Sequence, residues 1–289
     1  MWFLYALLGA FGKSYSGFFR KKMAGHVGAA TFMWVSSLVV LVLLTPVMLT
    51  RVPAVTDAFS QSFWVLVGAA VSLMAATLMN LEALKREELS YTAPLNSFVP
   101  IFTLLIAAVV LSEYPPLAGV TGILAIFVGA YIINLRPSRI RWYDPITHLV
   151  TNTGARLCMG VALAYAFNTV FFKVASNHGH DGLTILYTTM GIAWLLLLYV
   201  PFTKRQELKD AMRSNKLVVF GAAISSFVGS FFHILAVAGT YASYAVSVRR
   251  LDSIISILLG WRYLKETNIR NKLIGSAFMT IGVIIMAIS

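Results

Sequence analysis

The chain is poor in charge and has almost no cysteine. Only 12% of its 289 residues are Asp, Glu, Lys or Arg, against roughly 25% in an average soluble domain. The one cysteine, Cys158, excludes an internal disulfide and a thiolate metal cluster. Set in an apolar run, it reads as a small packing residue. No glycine-rich phosphate-binding loop is present, so this chain carries no ATPase engine. An HExxH zinc motif and a paired-aspartate intramembrane protease pattern are absent as well, and no catalytic set, cofactor or metal is expected. His178-Gly179-His180-Asp181 is the one metal-like tract, and a short connection between helices gives it no further ligands. No polar segment is long enough to bury a core of its own.

Hydrophobic residues fill that space. They make up 58% of the chain, and its mean hydropathy is +0.79. Apolar stretches recur at 2–19, 29–49, 63–84, 91–111, 117–135, 154–174, 183–202, 217–239, 243–263 and 271–288. Each approaches the roughly 20 residues that a helix needs to cross a bilayer. The first is followed by Arg20, Lys21 and Lys22 instead of a small-residue cleavage site, and is expected to be a helix, not a signal peptide.

The chain also repeats itself. At an offset of 153 residues, Phe18-Phe19-Arg20 falls on Phe171-Phe172-Lys173, and Gly68-Ala69-Ala70 on Gly221-Ala222-Ala223. Ser90-Tyr91 falls on Ser243-Tyr244, Glu113 on Glu266, Gly122 on Gly275 and Gly129 on Gly282. One register thus runs from the first helix to the fifth. The expected fold is all-α and integral to the membrane: ten transmembrane helices as two five-helix repeats, 1–135 and 154–289, joined by a linker at 136–153. Five crossings leave the chain on the opposite face, so the second repeat inserts upside down. Inverted repeats of this kind recur in secondary transporters.

Basic residues orient the molecule. Most of the 23 lie in connections after odd-numbered helices: Arg20 to Lys22, Lys85 and Arg86, Arg136 to Arg141, Lys204 to Lys216, and Arg262 to Lys272. Arg51 and Lys173 stand on the other side. Cytoplasmic loops hold the excess of Lys and Arg, so both termini are expected outside a cell (inner) membrane. The formal net charge of +12 therefore faces anionic lipid, and nucleic acid is not an expected partner.

The motifs closing each half resemble the EamA-type domain of the drug/metabolite transporter superfamily. In half one these are Glu82-Ala83-Leu84-Lys85, Ser90-Tyr91, Pro94, Pro100, Leu111-Ser112-Glu113, Gly122 and Gly129. Half two has Leu264-Lys265-Glu266, Gly275 and Gly282. Such domains typically carry L-G-E before a glycine-containing last helix, and a lysine at the end of the first. The resemblance covers the whole chain and implies a transporter, many of whose relatives keep the N-terminus inside. The chain departs from the pattern at Lys13, where many members have tryptophan, and at Ser253, where proline is expected. Arg249, Arg250 and Asp252 belong to no general family pattern.

Ionisable groups deep in membrane helices cost at least a few kcal/mol each and mark pathways. Arg249, Arg250 and Asp252 lie on the ninth helix, with Arg249 roughly 9 Å into a core about 30 Å thick. A guanidinium fork suits a carboxylate or phosphate; the competing reading is an internal ion pair that locks the helix. Their repeat equivalents, Asn96 and Ser97, sit between Pro94 and Pro100, where the chain either kinks for packing or opens for a ligand. Lys13, with Tyr15 nearby, is suited to an anion or a coupling proton, or pairs with Asp252 or Glu82. Asn80 and His233 are repeat equivalents, for binding or for plain interhelical hydrogen bonds.

These residues together favour a secondary transporter of a small metabolite, an amino acid, organic acid or other anionic solute, working by alternating access. The alternatives are an exporter of drug-like or aromatic compounds and a non-transporting membrane scaffold. Proton coupling, exchange and no coupling all stay open, as do monomer and homodimer.

Overall fold

The computed structural model describes residues 1–23, 27–86, 98–134, 153–214, 216–252, 254–255 and 269–288. Every regular element among them is helical. They are α1 (Trp2–Met23), α2 (Ala29–Leu49), α3 (Val52–Arg86), α4 (Val99–Leu111), α5 (Leu117–Asn134), α6 (Thr153–Asn177), α7 (Gly182–Leu196), α8 (Val200–Thr203), α9 (Arg205–Ser214), α10 (Lys216–Ala238), α11 (Ala242–Arg249) and α12 (Ile269–Ile288). Among the described residues, four spans are long and apolar enough to cross a membrane: Ala29–Leu49, Val52–Asn80, Arg156–Asn177 and Lys216–Ala238. Shorter apolar helices run through Val99–Leu111, Leu117–Ile132, Gly182–Leu196 and Ile274–Ile285. The linker 136–152, Asn96, Ser97, Pro94, Ser253 and Glu266 lie outside the described residues.

Three connections differ from the sequence expectation. The stretch before the third span is itself helical, from Val52, and Ser62 breaks it with φ −130° and ψ 19°. Pro53 suits the first turn of a helix, which donates no internal hydrogen bond. The segment after α7 holds a proline-started turn, α8, and the amphipathic α9. In α9, Leu208, Ala211 and Met212 pack inward against Phe32, Val35 and Val219, while Arg205, Lys209 and Arg213 stay exposed. The ninth span is interrupted, as described below.

The helix pairs are reciprocal under the 153-residue offset. α1 packs along α10, and α6 along α3; the offset turns one pair into the other. It likewise turns α3 on α7 into α10 on α2. The pairs α5 on α12 and α2 on α7 map onto themselves. Individual contacts follow. A Cβ on Gly129 would lie 2.5 Å from the Gly275 carbonyl, and one on Gly282 would lie 2.5 Å from that of Gly122. The Ser37 hydroxyl meets the Met190 sulfur at 3.8 Å.

Small residues make these approaches possible. At the crossing of α1 and α10, a Cβ on Gly12 would collide with the Gly229 backbone. One on Gly229 would stand 2.9 Å from the Lys13 amide, and one on Gly9 would stand 3.4 Å from the His233 amide. Gly17, on the same helix, has open space around it. We therefore expect Gly12→Ala to destabilise the purified protein by about 1–3 kcal/mol through overpacking. Gly17→Ala should be neutral or stabilising by up to about 1 kcal/mol, because alanine is the better helix former. Thermal melts of the two variants in one detergent test this pair.

Candidate functional site: a cationic cluster at a helix crossing

Because Gly12 and Gly229 touch backbone to backbone, the residues beside them are set in register. Lys13 follows Gly12 on α1, and His233 stands one turn beyond Gly229 on α10. The third contributor is the end of α11. Helical bonding tightens there: the Arg250 amide donates to the Ser247 carbonyl and the Leu251 amide to that of Val248, each at 3.0 Å. These i to i−3 bonds close a turn at Arg250-Leu251, after which helical conformation resumes at Asp252. The sequence reading has one continuous helix here, with no proline or glycine to break it.

The turn delivers Asp252 to α1. Its carboxylate lies 3.1 Å from the Lys13 ammonium, and its backbone carbonyl accepts a hydrogen bond from the Ser14 hydroxyl at 2.8 Å. The Lys13 ammonium also stands 5.9 Å from the centre of the Tyr165 ring, within cation–π range. Arg249 and Arg250 both act electrostatically on Lys13, and all three cations act on His233. His233 is buried; its Nε2 faces the Thr169 hydroxyl at 3.3 Å. Among the described residues, Lys13 thus pairs with Asp252 and Arg250 lies near enough to act on the same carboxylate, where hydrocarbon would make any unanswered charge costly.

Accessibility sorts the cations. Arg250 is 8% exposed, whereas 29% of the Lys13 side chain is accessible, although protein surrounds it. Arg249 is half-buried. Among the described residues, Asp252 Oδ1, Arg250 Nε and His233 Nδ1 have no hydrogen-bond partner. Buried polar atoms are nearly always satisfied, so such a concentration marks this spot out from ordinary packing.

A model of the EamA-like transporter family matches the chain twice, over residues 1–135 and 152–288. The chain belongs to the EamA-like transporter family. The members of that family are membrane transporters, not enzymes. A solved structure described only as "Crystal structure of protein" superimposes on this EamA-like chain with a TM-score of 0.75, covering 99% of this chain and 96% of that one. At 14% identity it speaks for the fold alone. A search of curated proteins gives no match.

The other candidates fall outside the cluster. Tyr15, two residues and about 200° around the helix from Lys13, is 43% exposed. Asn80 is half-buried on α3, and no hydrogen bond joins it to the cluster among the described residues. Asn168, one helical turn from Tyr165, donates to the Ala69 carbonyl at 2.8 Å, an ordinary interhelical bond. An open apolar groove of about 490 Å³ lies between α3 and α6, lined by residues such as Gly68, Val71, Met79, Leu163 and Phe167. Sequence reasoning missed Tyr165 and Thr169, whose repeat equivalents, Gly12 and Ser16, carry no matching signal.

At the Trp2 end of the EamA-like bundle, two ties cross between the matched halves. Lys173, read from sequence as a loop residue, is buried. Its ammonium donates to the carbonyls of Val237 (3.1 Å) and Thr240 (2.8 Å) and lies 3.6 Å from the Glu113 carboxylate. The other Glu113 oxygen accepts the Ala242 amide at 2.9 Å. Glu113 therefore closes the start of α11 while Lys173 closes the end of α10. Arg20 and Glu266 occupy the equivalent positions of the repeat, which is the signal that would have paired Lys173 with Glu113. The second tie is Ser62, whose hydroxyl meets His178 Nδ1 at 2.7 Å and His180 Nε2 at 2.9 Å. Burial, and then the neighbouring His178, hold the His180 imidazole below its ordinary value. Asp181 caps α7 through the amides of Leu183 (2.9 Å) and Thr184 (3.2 Å).

Ser112 precedes Glu113 at φ 53°, the left-handed conformation that glycine adopts freely and other residues at a cost of about 1–2 kcal/mol. Its turn aims Glu113 at α11. Ser112→Gly should therefore raise the melting temperature, with a gain of up to about 1 kcal/mol. Glu113→Gln, which strands a buried ammonium, should cost about 3–5 kcal/mol. Melting the two variants beside wild type checks both signs.

Proposed function

We propose that this EamA-like chain is a secondary transporter of a small anionic metabolite, an organic acid, amino acid or phosphorylated compound, and that the Lys13–Arg249–Arg250 cluster binds the anionic group. The observation that supports this reading is the buried Lys13–Asp252 pair at the glycine crossing, with the buried Arg250 and His233 close by among the described residues. A scaffold has no use for such a cluster, and a cation would be repelled by it. Arg249 and Lys13 are the accessible members and so the first contacts for a ligand, while Arg250 backs them from within. Asn96 and Ser97, the repeat equivalents of the arginines, belong to the same proposal through the offset, and His233 and Asp252 complete the wall. Asn80 and Tyr15 have weaker support.

Transport in this reading proceeds by alternating access between two five-helix repeats of opposite orientation. Reciprocal helix pairing supports it, because two halves related by a pseudo-two-fold can exchange shapes by rocking. In this reading the Gly28 end of α2 faces the cytoplasm and both termini lie outside, in a cell membrane, an orientation that the basic connections support. Export of drug-like or aromatic compounds is the second reading, and the apolar groove between α3 and α6 is what favours it.

A thermal-shift screen of the purified protein tests the assignment. The probes are succinate, aspartate, glucose 6-phosphate and tetraphenylphosphonium. A ligand at about 100 times its Kd stabilises the folded state by about 2.7 kcal/mol. We expect an anion to raise the melting temperature, and Lys13→Ala, Arg249→Ala and Arg250→Ala each to abolish that shift. Stabilisation by tetraphenylphosphonium alone, or anion shifts that survive in the variants, would remove the cluster from the binding site.

A further inference from the structure

The short helix α9 sorts its charges by sign. Its Glu207 carboxylate accepts the Gly28 amide and lies 3.8 Å from the Lys204 ammonium. Gly28 precedes α2 and has no side-chain cap of its own, so Glu207 supplies one and fixes how α9 is rotated. Arg205, Lys209 and Arg213 follow at intervals of four. At about 100° per residue each is turned about 40° from the last. They form one stripe, and its middle lies about 160° around the helix from Glu207. The stripe therefore points away from the start of α2. All three side chains are exposed, and no ion pair joins them to an acid among the described residues. Asp210 accepts from the Gln206 amide at 3.2 Å. Like charges four residues apart repel, and Arg205 stands in the first turn, where the helix dipole disfavours a cation. Nothing within the described protein offsets these costs.

The surroundings set the depth of the stripe. Phe202, three residues before Arg205, is 83% exposed, and Leu217, four residues after Arg213, is 81% exposed. Tyr199 is exposed as well. On a membrane protein such side chains face lipid, and aromatic ones gather at its interface. The stripe thus begins where the apolar surface stops, at the level of the lipid headgroups. Long basic side chains beside an apolar face can lie along it and reach the phosphates. We propose that Arg205, Lys209 and Arg213 form a binding site for the headgroup phosphates of anionic phospholipids, which hold α9 against the membrane. An anionic lipid brings the negative charge that the stripe lacks, whereas phosphatidylcholine carries its own cation beside its phosphate. The site is separate from the Lys13 cluster and does not depend on the transport reading. Because α9 leads into α10, which carries Gly229 and His233, a lipid bound there also steadies one side of the glycine crossing.

Phosphatidylglycerol titrated into the full-length protein in neutral detergent tests this, with binding read by native mass spectrometry and phosphatidylcholine as the comparison. Wild type should bind phosphatidylglycerol more tightly. Each basic residue near an anionic surface contributes roughly a fivefold change in affinity. Arg205→Gln, Lys209→Gln and Arg213→Gln should therefore each weaken binding about fivefold, and the triple variant about a hundredfold. Arg156→Gln removes an exposed cation at the start of α6 and should change little. Raised salt screens exposed charges and should weaken wild-type binding, which repeats the test without any substitution. Equal binding of the two lipids overturns the site, as does a triple variant that binds like wild type, a loss of the same size in Arg156→Gln, or binding indifferent to salt. Inorganic phosphate supplies the arm for a free anion. If it raises the melting temperature in phosphatidylcholine nanodiscs as much as added phosphatidylglycerol does, the stripe takes a soluble anion and the lipid assignment falls.

Discussion

A charge inside hydrocarbon must be met by opposite charge, hydrogen bonds or water, and in this protein that demand converges on the pair Lys13–Asp252. Each partner is brought by a different device. Lys13 is held by the glycine crossing of α1 and α10, where backbone lies on backbone and leaves no slack for the helix to rotate. Asp252 follows the turn at Arg250-Leu251, where helical bonding tightens to i to i−3. The pair in turn fixes where the two arginines stand, because they precede Asp252 by three and two residues. Remove the glycines and the lysine moves; straighten the turn and the carboxylate leaves. Neither change touches a ligand, and either would dismantle the cluster.

The remainder of the bundle follows from the same constraint. Helices in lipid gain little from burying apolar side chains, so they associate through close backbone approach and a few polar ties. Gly122, Gly129, Gly275 and Gly282 supply the first between α5 and α12. Glu113 and Lys173 supply the second, closing two helix ends whose unpaired amides and carbonyls need partners. Ser62, with His178 and His180, adds a tie between the kink of α3 and the turn after α6. These contacts join the matched halves at the Trp2 end. At the Gly28 end, Glu207 on α9 accepts the Gly28 amide and lies 3.8 Å from Lys204.

Much of this is legible in the sequence, and the reasons differ by feature. Apolar runs announce membrane helices because lipid filters composition over whole segments. The offset of 153 residues survives in the glycines of α5 and α12 because their contacts recur in both halves. Lys13, Arg249, Arg250, Asp252 and His233 stand out because their cost in lipid is high, and the structure gathers all five. What stays hidden depends on three-dimensional meeting. Tyr165 becomes part of the cluster only because α6 passes beside α1, and an aromatic residue on an apolar helix gives no sign of that. The turn at Arg250-Leu251 has no proline or glycine to mark it. The kink at Ser62 likewise hides in a polar stretch that reads as a loop. Tyr15 shows the reverse error: nearness along the chain to Lys13 becomes distance around the helix.

The central claim, that the Lys13 position lies on a pathway open in turn to both faces of the membrane, can be tested with a cysteine probe. Cys158 is the only native cysteine and is buried, so Cys158→Ala gives a clean background for Lys13→Cys. A membrane-impermeant thiol reagent is then added to either side of oriented proteoliposomes. The account predicts modification of the introduced cysteine from both sides. Modification from one side only, or from neither while a lipid-soluble maleimide reacts, would contradict it.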